Sequence, residues 1–330
     1  MKDFSDADLF ELLTGVSRSF VLTIRALPRG LRRPVGLAYL LARASDTMAD
    51  TATAPVEARA ECLRAFAGML VRERGDIFAR LKEIRPQNPA EQALLGNLAR
   101  LTAAVEGLPA EDRGEIVTLL RKIARGQELD LKRFPDAGMV RGLETAEELD
   151  EYTYLVAGCV GEFWTRICGA HLPRYGRVGE DELCGLGRGF GKGLQLVNIL
   201  RDLPEDIGNG RCYLPMRELR EAGVADAGEL RGDLRRAGPV FEVWKGKALC
   251  YLEEGRRYIE GIRPWRVRFA CLLPWALGVR TLKLIGERSP LERRERVKVG
   301  RKEVARMMRR AVWGAVSNGA VRSWGREIFD

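Results

Sequence analysis

Apolar residues recur three and four positions apart along almost the whole chain, the period of a helix with one buried face. The pattern predicts helices over 5–16, 30–52, 56–83, 89–106, 110–134, 147–170, 180–207, 240–262, 265–287 and 301–325. Alternating runs of β-branched residues, the mark of half-buried strands, are nearly absent. Breakers fall where helices should end: "LPRG" (27–30), "RPQNP" (85–89), "EGLP" (106–109), "RFPDAG" (133–138), "DIGNGRCYLP" (206–215), "RRAGP" (235–239) and "ERSP" (287–290). The connections are short, which favours antiparallel neighbours in one bundle. No repeat of fixed period and no low-complexity linker divides the sequence. The expected class is all-α, one domain over 1–330, with 296–330 a basic C-terminal helical segment.

At 330 residues, 46% hydrophobic and 31% charged, such a chain can bury a sizeable core. Its 55 Lys and Arg against 46 Asp and Glu give a net charge of +9, which favours anionic partners. The basic residues are spread along the chain and do not cluster with aromatics, so nucleic acid is not the expected partner. Cysteines 62, 159, 168, 184, 212, 250 and 271 form no CxxC pair and read as reduced core-filling thiols. The acidic N-terminus lacks the continuous apolar run of a secretory signal. No stretch is read as reaching the roughly 18–20 apolar residues that span a bilayer. The expectation is a soluble, cytoplasmic monomer or a peripheral protein. His171 is the only histidine, which removes His-ligated zinc and most conventional triads. It precedes Pro173 and is expected to lie at the surface or to cap a helix end.

Two stretches depart from ordinary core helices. "ARASDTMAD" (42–50) and "QLVNILRDLPED" (195–206) are largely apolar, yet each delivers two carboxylates four residues apart: Asp46 with Asp50, and Asp202 with Asp206. Such a spacing sets both acids on one helix face. A solvated face is the ordinary explanation of either pair alone. At the ends of buried helices, gathered carboxylates repel and call for a cation. Without a His or Cys cluster, that cation is hard and oxygen-loving, Mg²⁺ or Mn²⁺. With Arg43 and Arg201 beside the acids, the set describes a diphosphate clamp.

These residues carry a family resemblance. The chain resembles the squalene and phytoene synthases, which join two prenyl diphosphates head to head. The motifs are, in order, "SRSF" (17–20), "YLLARASDTMAD" (39–50), "YTYLVAGCVGEFW" (152–164), "QLVNILRDLPED" (195–206) and "GRCYLP" (210–215). The likeness runs from about residue 12 to at least 285. It implies an isoprenoid-synthase helical bundle with a central cavity, and farnesyl diphosphate as substrate. It implies that Asp46, Asp50, Asp202 and Asp206 bind Mg²⁺ and, through it, diphosphate, with Arg43 and Arg201 beside them. Ser17, Ser19 and Phe20 fall on the element that closes over a diphosphate. Tyr39 and Tyr152 match tyrosines near the reacting carbons, with Tyr152 in a proton-handling role or near the leaving group. Val156, Ala157, Gly158 and Gly161 match a small-residue wall that leaves room for a prenyl chain, although close helix packing explains the two glycines equally well. Gln195 and Asn198 match the polar pair upstream of the second acidic motif, and Arg211 and Tyr213 fall in the fifth motif. Independently of the resemblance, ionising an allylic diphosphate requires neutralised charge. The cation left behind requires a dry site with π faces.

One departure is Pro204, inside the second acidic motif. Proline removes a helix donor and clashes with the carbonyl of Leu200. The helix is therefore expected to kink or end there, leaving Asp202 the firmer ligand. Two features lean toward a reductive product, squalene. "RVKVGRKEVARMM" (296–308) resembles the basic segment that holds NADPH phosphates in squalene synthases, which assigns Lys298, Arg301 and Lys302 to that cofactor. "LLPWALGVRTL" (272–282) resembles the helix before it, with Trp275 where relatives often carry a smaller polar residue, so that the end of the pocket is expected to differ. A solvated basic helix start is the alternative for the three cations. The alternatives in product are dehydrosqualene, phytoene or presqualene diphosphate; the alternative in kind is a non-catalytic relative, against which all four Asp stand. The basic, amphipathic C-terminus either packs as a last helix or lies on an acidic membrane surface.

Overall fold

The computed structural model describes residues 4–17, 20–71, 77–135, 138–293 and 297–329. The class is all-α, as expected. Contacts gather the chain into two compact units, Met1–Lys132 with Arg166–Pro173, and Arg133–Thr165 with Arg174–Asp330.

The first unit holds α1 (Asp6–Val16), α2 (Phe20–Ala26), α3 (Arg29–Asp50), α4 (Val56–Leu70), α5 (Ile77–Arg80), α6 (Pro89–Gly96), α7 (Leu98–Glu106) and α8 (Ala110–Arg133). Ser5 starts α1 by accepting from the Asp8 backbone N–H, and Asp8 returns the bond in a capping box. Helix α3 is the centre of this unit. Its Leu31, Leu37, Leu40, Leu41, Ala44 and Met48 are inaccessible to solvent, and α1, α4, α6 and α7 pack around it. The helix expected over 89–106 breaks at Asn97, whose side-chain amide donates to the Ala93 carbonyl at 2.9 Å and competes with the helix ladder. The stretch expected as one helix over 56–83 is described as α4 and the short α5, with 72–76 outside the described residues.

The second unit holds α9 (Ala146–Thr153), a π-helical turn over Tyr154–Gly158, α10 (Cys159–His171, whose last turns belong to the first unit), α11 (Glu180–Gly208), α12 (Met216–Glu221), α13 (Gly238–Gly261), α14 (Trp265–Glu287), α15 (Pro290–Arg293), α16 (Arg301–Val316) and α17 (Asn318–Phe329). Helix α11 is its centre, packed by α13, α14 and the π turn. Glycines on α11 let backbones approach closely. A Cβ on Gly161 would fall 1.9 Å from the Gly187 carbonyl oxygen, and one on Gly191 2.2 Å from that of Ala157.

Pro204 does not end α11, which continues to Gly208. Proline costs about 3 kcal/mol in a helix. Leu200, Leu203 and Ile207, each at most 2% exposed, flank it, and burial contributes about 1.5–3 kcal/mol per such side chain. Packing therefore wins, and Asp206 keeps its helical position four residues after Asp202.

The sole ladder among the described residues pairs β1 (Arg141–Gly142) in parallel with β2 (Arg211–Cys212). Gly210, at φ 80°, makes the turn from α11 into β2, a conformation that costs glycine little. By length and composition α14 could cross a membrane, contrary to the reading of the sequence. It is a core helix: 61% of its apolar window is buried within the protein. Trp275 on it is fully buried, donating its indole N–H to the Leu252 carbonyl at 2.9 Å and meeting Trp324 edge-on. It packs the core.

Candidate functional site

On α3, Tyr39, Arg43, Asp46 and Asp50 stand at i, i+4, i+7 and i+11, within one narrow stripe of the helix. The stripe continues into the start of α2. Ser17 accepts from the Phe20 backbone N–H at 3.2 Å, and the Phe20 ring stacks on Tyr39 with centroids 4.2 Å apart. Burial raises the Tyr39 hydroxyl above its ordinary pKa, while its hydrogen bond with Ser17 opposes the rise. Four expected residues, Ser17, Phe20, Tyr39 and Asp46, are thus brought into one local arrangement. Ser19 lies outside the described residues.

The first acidic pair is strained electrostatically. Asp46 is set deep in the unit although its side chain keeps 44% of its surface open. Burial, and then the charge of Asp50, push its pKa up to about 6. The charge of Arg43 is the larger opposing influence: one guanidinium nitrogen stands 3.8 Å from Asp46, while the other donates to Glu91 at 2.7 Å. The shortest polar contact comes from Gln127 on α8, whose amide donates to Asp46 at 2.6 Å and lowers the pKa less than Arg43 does. That amide's own oxygen is buried and has no partner. Gln127 and Glu91 were not expected. The sequence did place a glutamine on the buried face of α8, where an unneeded polar group is costly.

On α11, Gln195, Asn198, Asp202 and Asp206 likewise share one stripe. Asn198 points its amide toward Gln195 at 3.5 Å. Asp202 differs from Asp46: Arg201 grips it with two parallel bonds of 2.8 and 2.6 Å. Lys192, one turn before Gln195 and only 7% exposed, pairs with Asp150 and lies over the Tyr251 ring.

The clip between β1 and β2 sets Tyr213 beside the end of α9. There its ring stacks on Tyr152 with centroids 4.8 Å apart, and the Tyr152 hydroxyl donates to that of Tyr213 at 3.4 Å. Phe134 meets Tyr213 edge-on at 5.2 Å. Arg211 lies on β2, paired in register with Arg141. The segment after Tyr152 winds as a π turn, a local widening frequent at functional sites. Val156 on that turn is half-buried. Gly158 and Gly161, for which a chain wall and close helix packing were both expected readings, face α11: Cβ atoms there would meet Lys192, Arg188 and Gly187. At Gly161 no side chain fits between the two helices, and at Gly158 one is crowded, so both serve close helix packing.

His171, expected at the surface or as a cap, is half-buried at the last position of α10 and bonds buried Asp112 at 2.8 Å. Six of the seven cysteines are buried, Cys250 is exposed, and all are free. Lys298 precedes α16, and Arg301 and Lys302 open it; all three are exposed to solvent.

Among the described residues no three His, Cys, Asp or Glu side chains gather as a metal cluster. The donor set nevertheless differs between the two pairs in its fit to a hard cation. Asp46 and Asp50 supply oxygens whose charges raise one another's cost, and an orphaned amide oxygen accompanies them. That set fits Mg²⁺ or Mn²⁺. Asp202 fits one once Arg201 releases its oxygens.

The sequence profile of squalene/phytoene synthases matches residues 13–303. Squalene synthase ERG9 of Gibberella zeae is 27% identical over 303 residues, 91% of this chain and 63% of that protein. The chain thus spans about three fifths of that relative's length. The 15-cis-phytoene synthase of Synechocystis is 29% identical over 274 residues, covering 78% of this chain and 70% of its own. Among solved structures, TcSQS in complex with the ligand BPH1237 superposes with a TM-score of 0.78 at 23% identity, over 97% of this chain and 89% of that one. That likeness establishes a squalene-synthase-type fold.

Proposed function

This chain belongs to the squalene/phytoene synthase family, and from that premise we propose that it is a prenyltransferase joining two farnesyl diphosphates head to head. The product of 1′-1 joining is presqualene diphosphate, which NADPH then reduces to squalene. The observation that carries the reading is the Asp46–Asp50 pair, whose mutual repulsion and the desolvation of Asp46 call for a cation at the end of a stripe shared with Tyr39 and Arg43.

Asp46, Asp50, Asp202 and Asp206 would hold Mg²⁺ or Mn²⁺. Such an ion, when bound, neutralises the charge that develops on a departing diphosphate. Arg43 and Arg201 supply guanidinium groups for phosphate oxygens, a geometry that matches them in forked pairs. Ser17 and Phe20 hold the start of α2 against Tyr39, where a diphosphate would meet the Ser17 hydroxyl. The stacked rings of Tyr152 and Tyr213, with Phe134 at their edge, offer π faces to an allylic cation and no strong nucleophile. The Tyr152 hydroxyl, bonded to Tyr213, holds a proton where the leaving group can take it. Gln195, Asn198 and Arg211 are polar contacts for the substrate head, and Val156 lines its chain. Lys298, Arg301 and Lys302 are the assigned contacts for NADPH phosphates; no Rossmann loop is needed for that role.

A second reading omits the hydride step and ends at dehydrosqualene, phytoene or presqualene diphosphate. What favours it is the phytoene synthase relative, whose identity is as high as that of the squalene synthase. Incubation with labelled farnesyl diphosphate and Mg²⁺, with and without NADPH, separates the two. Squalene formed only with NADPH supports the first reading. The same non-reduced product under both conditions supports the second. Turnover of geranylgeranyl diphosphate alone would replace the substrate assignment, and turnover of neither would overturn the activity.

A further inference from the structure

Among the described residues, exposed large apolar side chains occur in several places, Met139 at 62% and Val243 at 53% among them, but one helix gathers three of them on one face. Trp313, Val316 and Val312 are 74%, 66% and 53% exposed, and all three lie on α16. At 100° per residue they share its outward stripe with Lys302, Ala305, Arg306 and Arg309, and Arg301 stands at its edge. Each of those four cations is exposed, and the only acid on α16, Glu303, faces away and pairs with Arg280. The opposite face is the packed one. Met307, Ala311, Gly314 and Ala315 are buried, and Gly314 approaches Leu272 of α14 so closely that a Cβ would lie 3.1 Å from it.

The apolar end of this stripe is rigidly held. Arg268, 2% exposed on α14, donates to the Gly314 carbonyl at 3.0 Å, to Asn318 and to the Ile262 carbonyl. The same end of α14 begins with Trp265, 53% exposed, flanked by exposed Arg263 and Arg266. Glu327 borders this stripe, paired with Arg310, but the stripe itself carries no acid; a face that is apolar with tryptophan at one end and basic along the rest is matched to a partner with both an apolar interior and negative charge at its boundary.

We propose that the outward face of α16, with Trp265 beside its C-terminal end, docks the protein on the surface of an anionic lipid bilayer. Helix α16, about 24 Å long, lies in the plane of the interface. Val312, Trp313 and Val316 enter the acyl boundary, while Arg306 and Arg309 meet lipid phosphates. Tryptophan suits this depth because its ring is apolar and its N–H reaches the headgroups. A second copy of the chain is a poorer occupant. A two-fold contact through this stripe would bring like-charged arginines of the two copies together with no acid on the stripe to separate them, Glu327 at its border being already paired with Arg310. The inference goes beyond the reaction assigned above and is independent of it.

The test is cosedimentation of the full chain with vesicles of phosphatidylcholine, alone or enriched in phosphatidylglycerol, without substrate or cofactor. Trp313→Ser with Val316→Ser removes the apolar end, and Arg306→Gln with Arg309→Gln removes charge; all four positions are accessible, so folding is checked simply by an unchanged thermal melt. The expected result is binding to the anionic vesicles that weakens with salt. Each double substitution should lower partitioning about tenfold or more, with turnover of soluble substrate unchanged. No binding to anionic vesicles overturns the proposal, as does binding that both double variants retain. Concentration-dependent dimerisation abolished by Trp313→Ser with Val316→Ser would overturn it in favour of a second copy. Because vesicle binding is read without turnover, a failed reaction assignment leaves this result intact.

Discussion

The two acidic stripes of the molecule have the same spacing and opposite surroundings. On α3, Asp46 is desolvated, repelled by Asp50, and hydrogen-bonded by a neutral amide; its nearest guanidinium stands 3.8 Å away and donates instead to Glu91. On α11, Asp202 is gripped on both oxygens by the arginine next to it. A carboxylate of the first kind gains most from an added cation, and one of the second already has a counter-charge. Identical sequence spacing thus produces one pair poised for metal and one satisfied by the protein, and the difference lies in their neighbours: Gln127 and Glu91 from other helices around the first, the adjacent Arg201 at the second.

The largest effect that tests this contrast is on catalysis and stability together. Asp46→Asn should lower turnover of farnesyl diphosphate on the order of a thousandfold, the upper range for losing one preorganised electrostatic contact. Without divalent cation the same change should raise the melting temperature at neutral pH, because it removes a charge that the fold disfavours. The sign follows from the pKa, raised from 3.8 to about 6. The folded state holds the proton more tightly than the unfolded chain, so stability is lost as pH rises through that window. The advantage of Asp46→Asn over the wild type should therefore grow from pH 4 to pH 6 and then level off in melting curves.

Asp202→Asn should cost about a hundredfold in turnover and lower the melting temperature, the reverse sign, because Arg201 loses its forked partner. Equal signs for the two variants would break the comparison. A smaller loss, about tenfold, is expected for Gln127→Leu, as for other groups that support a ligand from behind; steady-state kinetics should show it with the melt little changed. Gly161→Ala tests what positions α11. Its Cβ has no room against the Gly187 carbonyl, so chemical denaturation should show a loss of about 1–3 kcal/mol.

The helices were readable because burial on one face imposes their period, and the long ones, α3, α8, α11, α13 and α14, fall within a few residues of expectation. What local rules missed was decided by packing. Pro204 is carried through by the buried leucines and isoleucine around it, and α16 separates from α17 at Ser317, which adopts an extended backbone. The π turn after Tyr152 and the two-residue ladder that delivers Tyr213 leave no periodic trace, since each spans too few residues. In the site, the acids and their stripe-mates on α3 and α11 were legible because helical spacing alone aligns them. Gln127, Glu91 and Phe134 were not, since each reaches its partner from another element. Gly158 and Gly161 were legible as small residues but not as to which neighbour required it.

The most direct measurement is paramagnetic resonance titration of Mn²⁺ into the substrate-free protein and its two acidic variants. The account predicts a bound ion in the wild type that persists in Asp202→Asn and is lost in Asp46→Asn. Loss of the ion in Asp202→Asn with retention in Asp46→Asn would contradict it.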